Sequence, residues 1–398
     1  MRRLLLTNFG IHAADQLALA ALPLIATLLM PGGPALAGML VAAQGAAWLL
    51  LSLPAGAWVD RFPRRRLMVA ASAIAALALV PASLSVAAAP VLAMLVMLAA
   101  AGTVVTVLAS FAILPELVGR DGLPLANARL ELARAAATLL AAPLAGTLAA
   151  LGRPEGALLL AAGLAALAAL GAGGLPTPGV PPSAEPRPML HLLSAGARFV
   201  WDQPLLRAVA TAAVAWNFAF FALAAVAMPL ALEVLQLSPR LAGLAIGGYG
   251  AGLMAGALLA GRLAPRQAPG RMLLAGPALS VLAMLAWGAA LRAGTPGARL
   301  GLVAMAQFLL GFGPMLWQVV QTSLRQVVTP PALLGRVGAT MQVAVFGVRP
   351  LGALAGGALA AQMGFGATLW LVALGFTLSL VVVAASPLRR LRAMPAPA

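Results

Sequence analysis

The 398-residue sequence has no cysteine, no lysine, one tyrosine, two histidines and only nine acidic residues. The lack of cysteine excludes disulfides, thiolate metal sites and a cysteine nucleophile. There are only two histidines, and no clustered carboxylates have metal-ligand spacing, so an intramembrane enzyme is poorly supported. We therefore expect a protein that is not an enzyme and that holds neither a metal nor a cofactor.

Charge is scarce as well, since charged residues make up 9% of the chain and hydrophobic residues 63%. An ordinary soluble domain has about 25% charged residues, and no soluble core accommodates so much apolar surface. All 25 basic residues are arginines, and most lie in short loops between apolar runs. This placement is typical of membrane topology, so we expect contact with lipid and no nucleic-acid partner.

Apolar runs of about 20 residues, the length that crosses a bilayer, recur along the whole chain. The sequence predicts twelve spans, so both chain ends lie on one side of the membrane. The spans are Leu4–Leu29, Leu36–Trp58, Leu67–Ala88, Val91–Leu114, Leu125–Leu151, Ala157–Leu175, Leu205–Leu232, Leu241–Leu263, Met272–Leu291, Leu300–Leu324, Leu334–Met363 and Ala367–Ala385.

The arginines indicate which side holds the ends. With the N-terminus in the cytoplasm, twenty arginines fall on the inner side and four on the outer side, namely Arg153, Arg240, Arg292 and Arg299. Because inner loops are enriched in arginine, we expect both termini to be cytoplasmic. His12 and Asp15 interrupt the first apolar run and no cleavage site follows it, so this run is interpreted as a retained helix rather than a signal peptide.

A proline-rich interval divides the spans into two sets of six. We expect bundles at residues 1–175 and 205–398 and a linker at 176–204, irregular over Pro176–Pro188 with a short amphipathic helix over Met189–Trp201. Small and charged residues recur at a nearly constant offset of 205 to 207 positions, which favours duplication and a pseudo-twofold axis along the membrane normal. The pairs are Gly38 and Gly243, Gly45 and Gly250, Gly56 and Gly261, Arg61 and Arg266, Pro124 and Pro331, Arg129 and Arg336, and Pro143 and Pro350.

The loop after the second span carries unusual charge, reading Gly-Ala-Trp-Val-Asp-Arg-Phe-Pro-Arg-Arg-Arg-Leu over residues 56–67. It resembles the loop signature of the major facilitator superfamily, and this resemblance extends over essentially the whole chain. Residues 114–118 and 125–134 are similar to the bacterial efflux branch that includes the enterobactin exporter and macrolide efflux proteins. The resemblance implies an all-α membrane protein of two pseudo-symmetric six-helix bundles, acting as a monomer in the bacterial inner membrane.

In that family the loop signature latches the two halves together on the cytoplasmic side. Asp60 can accept hydrogen bonds from arginines and can face the positive N-terminus of a neighbouring helix, where an anion gains roughly 0.3–1 kcal/mol. The alternative is that the arginines are only topological anchors. Pro265 stands where the second half would need an acid, so only the first half can carry this latch. The predicted latch residues are Gly56, Asp60, Arg61, Arg64, Arg65 and Glu116.

Ionisable side chains inside spans are expensive, at about 2.5–3.5 kcal/mol at a helix centre. Asp15, halfway along the first span, is the leading candidate for proton coupling because a carboxyl in a cavity can load and release a proton as access alternates. Glu131 is the second candidate, although it can pair with Arg134 three residues later. The alternative is an Asp15 permanently paired with Arg134, which would fix the first helix to the fifth.

Aromatic, amide and charged side chains in several spans predict the substrate cavity, and such a lining suits a bulky, partly apolar compound. Arg349 either holds an anionic group of the substrate or snorkels into a polar cavity. The candidates are Asn8, Gln16, Gln44, Arg134, Trp216, Asn217, Phe220, Trp317, Gln318, Gln321 and Arg349. The sequence therefore predicts a secondary active transporter that exports a bulky amphiphile, such as a drug or siderophore, in exchange for protons. The alternative is an importer or lysolipid flippase of the same fold.

Overall fold

The computed structural model describes residues 1–176, 189–263, 266–330 and 333–395. Within these ranges twelve helices are long and apolar enough to cross a membrane, which confirms the predicted number of spans. A bilayer offers no water to backbone groups, so each crossing satisfies them within its own helix. The spans are α1 (Arg2–Leu28), α2 (Gly33–Arg61), α3 (Arg64–Leu84), α4 (Ala89–Gly119), α5 (Leu125–Ala150), α6 (Gly156–Gly173), α7 (Pro204–Glu233), α8 (Pro239–Leu263), α9 (Pro269–Arg292), α10 (Pro296–Val328), α11 (Leu334–Met363) and α12 (Phe365–Ala385).

Two connections between spans are themselves helical. The turn from α4 to α5 is a continuation of one helical run that breaks at Gly119, whose φ of 68° and ψ of 173° suit glycine because it has no Cβ. Between α6 and α7 a linker helix spans Met189–Asp202, which confirms the predicted short helix. The irregular segment predicted at Pro176–Pro188 lies, apart from its first residue, outside the described residues. The proposed domain limits at 175 and 205 remain a prediction.

The helices alternate in direction, so both chain ends lie on one face, which we call the termini face. There the Arg3 side chain donates to the Gly174 carbonyl at the end of α6, and the backbone N–H of Gly270 donates to the Leu391 carbonyl beyond α12 (3.0 Å). On the opposite face, Arg299 at the start of α10 donates to the Leu235 carbonyl after α7 (3.0 Å).

On the opposite face the two six-helix bundles are in backbone contact at two crossings related by the internal repeat. Where α2 crosses α11, a Cβ placed on Gly38 would lie 2.6 Å from the carbonyl oxygen of Ala353 and 2.9 Å from the Cα of Gly357. Where α5 crosses α8, a Cβ on Gly146 would lie 3.0 Å from the Cα of Gly243. Glycine is required at these crossings because the two backbones touch, as at other small-residue contacts between membrane helices.

The termini face is open by comparison. Glycines near the termini-face ends of α2, α8 and α11 have nothing within 4 Å of an added Cβ, namely Gly56, Gly261, Gly335 and Gly338. The contact between α2 and α11 ends near mid-depth, where Leu49 Cδ1 would lie 3.3 Å from a Cβ on Gly347 and the rings of Trp48 and Phe346 are 4.8 Å apart. The space between the bundles therefore opens toward the termini face.

Candidate transport cavity

A polar cluster lies at mid-depth between the bundles, where α1 and α2 of the first half approach α7 and α11 of the second. Its charged members include Asp15 on α1 and Arg349 on α11, whose charges interact across the interface. Arg134 on α5 and Tyr249 on α8 interact electrostatically with Arg349 as well. The fold thus brings together the ionisable residues that the sequence distributes over separate spans.

Arg349 is held in place without a carboxylate partner. Its Nε donates to Asn217 Oδ1 (3.1 Å), and its guanidinium carbon lies 4.2 Å from the ring centroid of Phe346 and 5.0 Å from that of Phe221. It forms no ion pair with any side chain that the structure describes. Because Asn217 lies in the middle of α7, these contacts keep the charge at mid-depth instead of letting it snorkel to a face.

Asp15 is fixed by two glutamines. Gln44 on α2 donates through Nε2 to Asp15 Oδ1 (3.0 Å) and to the Asp15 backbone carbonyl (2.9 Å), while Gln16 donates to Oδ2 (3.3 Å). A half-buried carboxylate gains from such amide donors, which also hold α1 against α2. The alternative in which Arg134 holds Asp15 is wrong for this structure.

Arg134 pairs instead with a residue of its own helix. Its Nη2 lies 2.8 Å from Glu131 Oε2, the spacing of three residues that the sequence indicated, and both side chains are more than a third exposed. His12 interacts electrostatically with Arg134 across to α1. Asn8 turns away from the cluster, since it is buried and its amide donates to the Leu4 carbonyl (3.0 Å).

The aromatic residues of α7 form a wall inside the second bundle. Trp216 stacks on Phe220 with centroids 4.9 Å apart, and its Nε1 donates to Ser280 Oγ on α9 (2.8 Å). Phe220 also contacts Tyr249 on α8, with centroids 5.0 Å apart. Trp216 therefore joins Phe220 to α9, whereas Tyr249 belongs to the charged cluster.

Of the predicted residues on α10, one packs against α9 and two bond to a neighbour on α10. Trp317 packs against Gly276 of α9, where a Cβ would lie 2.6 Å from the Trp317 Cβ, so its assignment to the cavity is corrected. The missing side chain at Gly276 leaves the room that the indole fills. Gln318 is exposed and Gln321 is buried, and both donate to Thr322 Oγ1, at 3.4 and 3.0 Å.

Three residues of the cluster escaped sequence analysis, namely Trp48, Tyr249 and Phe346. Two of them carried a usable signal. Trp48 follows Gln44 by four residues and Phe346 precedes Arg349 by three, so each shares a helix face with a polar residue of the cluster. Tyr249, the only tyrosine of the chain, sits beside Gly250 in the repeat and had no partner visible in the sequence.

The predicted latch is half assembled. Arg64 pairs with Glu116 at the termini-face end of α4. Asp60 is exposed and forms no ion pair with the described side chains, so neither Arg61 nor Arg64 holds it here. Because Gly56 faces open space, α11 has not approached the loop, and an open latch agrees with a cavity that is open on the termini face.

Comparisons with known proteins agree with this architecture. The chain resembles the structures of a mutant nucleoside transporter NupG (14% identity, TM-score 0.76, covering 96% of this chain and 98% of the other), and of a D-xylose–proton symporter (15%, 0.73, 96% and 96%). A third is a bacterial homolog of the human lysosomal transporter Spinster, in an inward-facing, occupied conformation (14%, 0.69, 96% and 94%). A search of curated protein sequences gives no significant match. The profile of the Major Facilitator Superfamily matches residues 4–237, more than half of the chain, and the chain belongs to that superfamily.

Proposed function

We propose that the protein exports a bulky amphiphilic compound, such as a drug or siderophore, across the bacterial inner membrane in exchange for protons. The arginine asymmetry supports a cytoplasmic location of both termini, and hence of the termini face. With this orientation the cavity is open to the cytoplasm and closed to the outside, the state in which an exporter collects its substrate. The resemblance of residues 114–118 and 125–134 to the efflux branch supports the direction of transport.

The proposed substrate class rests on the residues that line the cavity. Arg349 presents a guanidinium between two phenylalanine rings and has no described carboxylate to neutralise it. A cation beside apolar rings suits a compound that combines an acidic group with an apolar body. Two bundles that close on one face and open on the other supply alternating access around this point.

Asp15 is the proposed coupling residue. It is the carboxylate of α1, its partners are neutral amides, and its charge interacts with Arg349 across the interface. Glutamine amides donate to the ionised carboxylate and also tolerate the protonated form, because an amide oxygen can accept its proton. Proton coupling is known in this fold, since one structurally similar transporter is a D-xylose–proton symporter.

The test uses the full chain in proteoliposomes with a fluorescent amphiphile that carries a carboxylate, and its uncharged methyl ester as a second probe. An imposed pH gradient should accelerate efflux of the acid. Asp15→Asn should remove the acceleration, whereas Glu131→Gln, the matched change of the exposed carboxylate on α5, should retain it. Arg349→Gln should lower the apparent affinity for the acid and leave the ester unchanged.

Two results would contradict the proposal in separable ways. Efflux that ignores the pH gradient in the wild-type protein removes the proton coupling and leaves the export intact. Acid and ester that respond equally to Arg349→Gln remove Arg349 from substrate recognition.

A groove on the termini face favours a second candidate, transport of a lysolipid by the same fold. A shallow, open groove with a volume of about 440 Å³ lies between the start of α1 and the start of α5, mostly apolar and flanked by two arginines. Arginine beside leucine and phenylalanine suits a lipid phosphate and its acyl chain. Its lining residues are Arg2, Leu5, Leu6, Phe9, Arg129, Leu132 and Ala133. Translocation of a fluorescent lysolipid that is lost in the Arg2→Gln, Arg129→Gln double variant, with efflux of the soluble acid retained, would favour this candidate.

A further inference from the structure

The groove between the starts of α1 and α5, called here the α1–α5 groove, lies on the same face of α1 as the polar cluster. Over residues 4–18 of α1, the residues that are not buried follow one another at intervals of three and four, which places them on one side of the helix. They are Leu5, Leu6, Phe9, His12, Asp15 and Gln16. The first three line the groove, and Asp15 belongs to the cluster. The groove is therefore the termini-face end of the transport cavity.

Helix α5 supplies the other wall of the groove and continues the route inward. Arg129 lines the groove, and Arg134 lies five residues, about 7.5 Å, further along the helix. Arg134 interacts electrostatically with His12 on α1 and with Arg349 on α11. Arginines therefore follow one another from the mouth of the cavity to its mid-depth.

The two arginines of the groove are available to an anion. Arg2 and Arg129 are exposed, and neither forms an ion pair with a side chain that the structure describes. Glu131, two residues after Arg129, pairs with Arg134 instead (2.8 Å). The other side chains of the lining are all apolar. Two guanidinium groups beside leucine and phenylalanine match a compound that combines a carboxylate with an apolar body.

We propose that the α1–α5 groove is a first binding site, at which the acidic amphiphile stops on its way from the termini face to Arg349. This inference rests on the proposed function and adds a site to it. Arg2 and Arg129 hold the acidic group, and the carboxylate then passes Arg134 to reach Arg349, so it exchanges one arginine for the next. Because the groove is shallow and its arginines are exposed, binding is weak and release is rapid, as passage requires. Positive charge at the mouth also accelerates capture of an anion.

The test uses single-cysteine variants of the detergent-solubilised full chain, which has no cysteine of its own. Leu6→Cys and Leu132→Cys place a thiol on each wall of the groove, and the rate of labelling with a charged maleimide reports its accessibility. The fluorescent carboxylate amphiphile should slow labelling several-fold, and its methyl ester should slow it much less. Leu334→Cys at the start of α11 is the matched control, because Leu334 and Leu132 are both 37% exposed and Leu334 does not line the groove.

The arginines are tested on the Leu6→Cys background. Arg2→Gln combined with Arg129→Gln should abolish the protection, whereas Arg2→Lys combined with Arg129→Lys should keep it, because the charges remain. Raising the salt from about 0.05 M to about 0.5 M should also weaken protection by the acid, since salt screens exposed charges. In proteoliposomes the glutamine pair should raise the apparent KM for the acid about five- to tenfold, the range expected for two exposed ion contacts. If the glutamine pair does not fold, the salt titration still decides the question.

Equal protection by acid and ester would overturn the proposal, as would protection that persists in the glutamine pair. Phosphatidylglycerol that shields both cysteines and that the acid does not displace would assign the groove to a membrane lipid, and would overturn it as well. Arg349→Gln should leave protection of Leu6→Cys intact, because it removes only the inner site. Loss of pH-driven efflux with protection retained would contradict the transport proposal alone, whereas loss of protection with pH-driven efflux retained would contradict the groove alone.

Discussion

The two faces of the molecule join its halves by different physical means. On the opposite face, Gly38 meets Gly357 and Gly146 meets Gly243, with backbones in contact and no charge involved. On the termini face, the corresponding region holds an exposed acid, Asp60, in a loop rich in arginine, with nothing near Gly56. Close backbone packing holds the halves together on the opposite face, and charged side chains are available to join them on the termini face.

This difference predicts different responses to mutation. A close backbone contact does not tolerate substitution of its glycines, because any added side chain must displace a helix. A latch made of charged side chains responds gradually to mutation, because each charge changes the free-energy difference between the open and latched states by at most about 1 kcal/mol. Changes on the opposite face should therefore abolish transport, whereas changes on the termini face should tune it.

The largest effect is expected for Gly38→Leu or Gly243→Leu. A leucine at either crossing separates the helices at a cost of about 3 kcal/mol or more, which is roughly a hundredfold change in population. Transport should fall by that order, and a single cysteine in place of the buried Ala353 at the crossing of α2 and α11 should become accessible from the opposite face in Gly38→Leu. Gly163→Leu is the control, since a Cβ there meets nothing within 4 Å. Equal losses in both variants would mean general destabilisation.

Gly56→Ala should have the next largest effect on transport, because it acts differently on the open state and on the latched state. In the present state the new methyl group has open space, and alanine favours a helix over glycine by up to about 1 kcal/mol, so the melting temperature should hold or rise. Transport should nevertheless fall about tenfold if α11 closes onto this position. Gly261→Ala, its counterpart in the second half, should behave like the wild-type protein. Matched behaviour of the two variants would show that both halves carry a latch.

Asp60→Asn should have a smaller effect. It removes an anion that can face a helix N-terminus in the closed latch, where the gain is about 0.3–1 kcal/mol, so the population of the latched state should fall two- to fivefold. Labelling of a termini-face cysteine should increase accordingly, while the melting temperature stays constant because Asp60 has no described partner in the open state. An unchanged labelling rate would leave the loop as a topological anchor only.

Much of this comparison could be predicted from the sequence, because bilayer thickness sets the length of each span and the arginines indicate where the loops lie and on which side of the membrane. The internal repeat identified Gly38 and Gly243 before any contact was known. The rotation of each helix about its axis was not predictable. Pairing of Asp15 with Arg134 was left open as an alternative, but Arg134 pairs with Glu131, and Gln44 on α2 is the residue that contacts Asp15.

The same limit explains the error at Trp317. Its position on α10 is compatible with facing either the cavity or α9, and only the packing shows that Gly276 leaves a space for the indole. The side-chain oxygen of Gln44, which is buried without a hydrogen-bond partner, is a further case, since a buried amide reveals which of its atoms lacks a partner only after its neighbours are placed.

Glu116→Gln should have the smallest effect, because Arg64 and Glu116 pair near the membrane surface and are already paired in the open state. An ion pair that is partly exposed contributes about 0.2–1 kcal/mol, and it shifts the equilibrium between states only by the difference in its strength between them. Transport should therefore change less than twofold, with a small loss of melting temperature. A double-mutant cycle with Arg64→Gln measures the pair directly, and the coupling energy should be equal in both states. A loss as large as that of Gly56→Ala would instead place Glu116 inside the latch, as a residue that changes partners when the termini face closes.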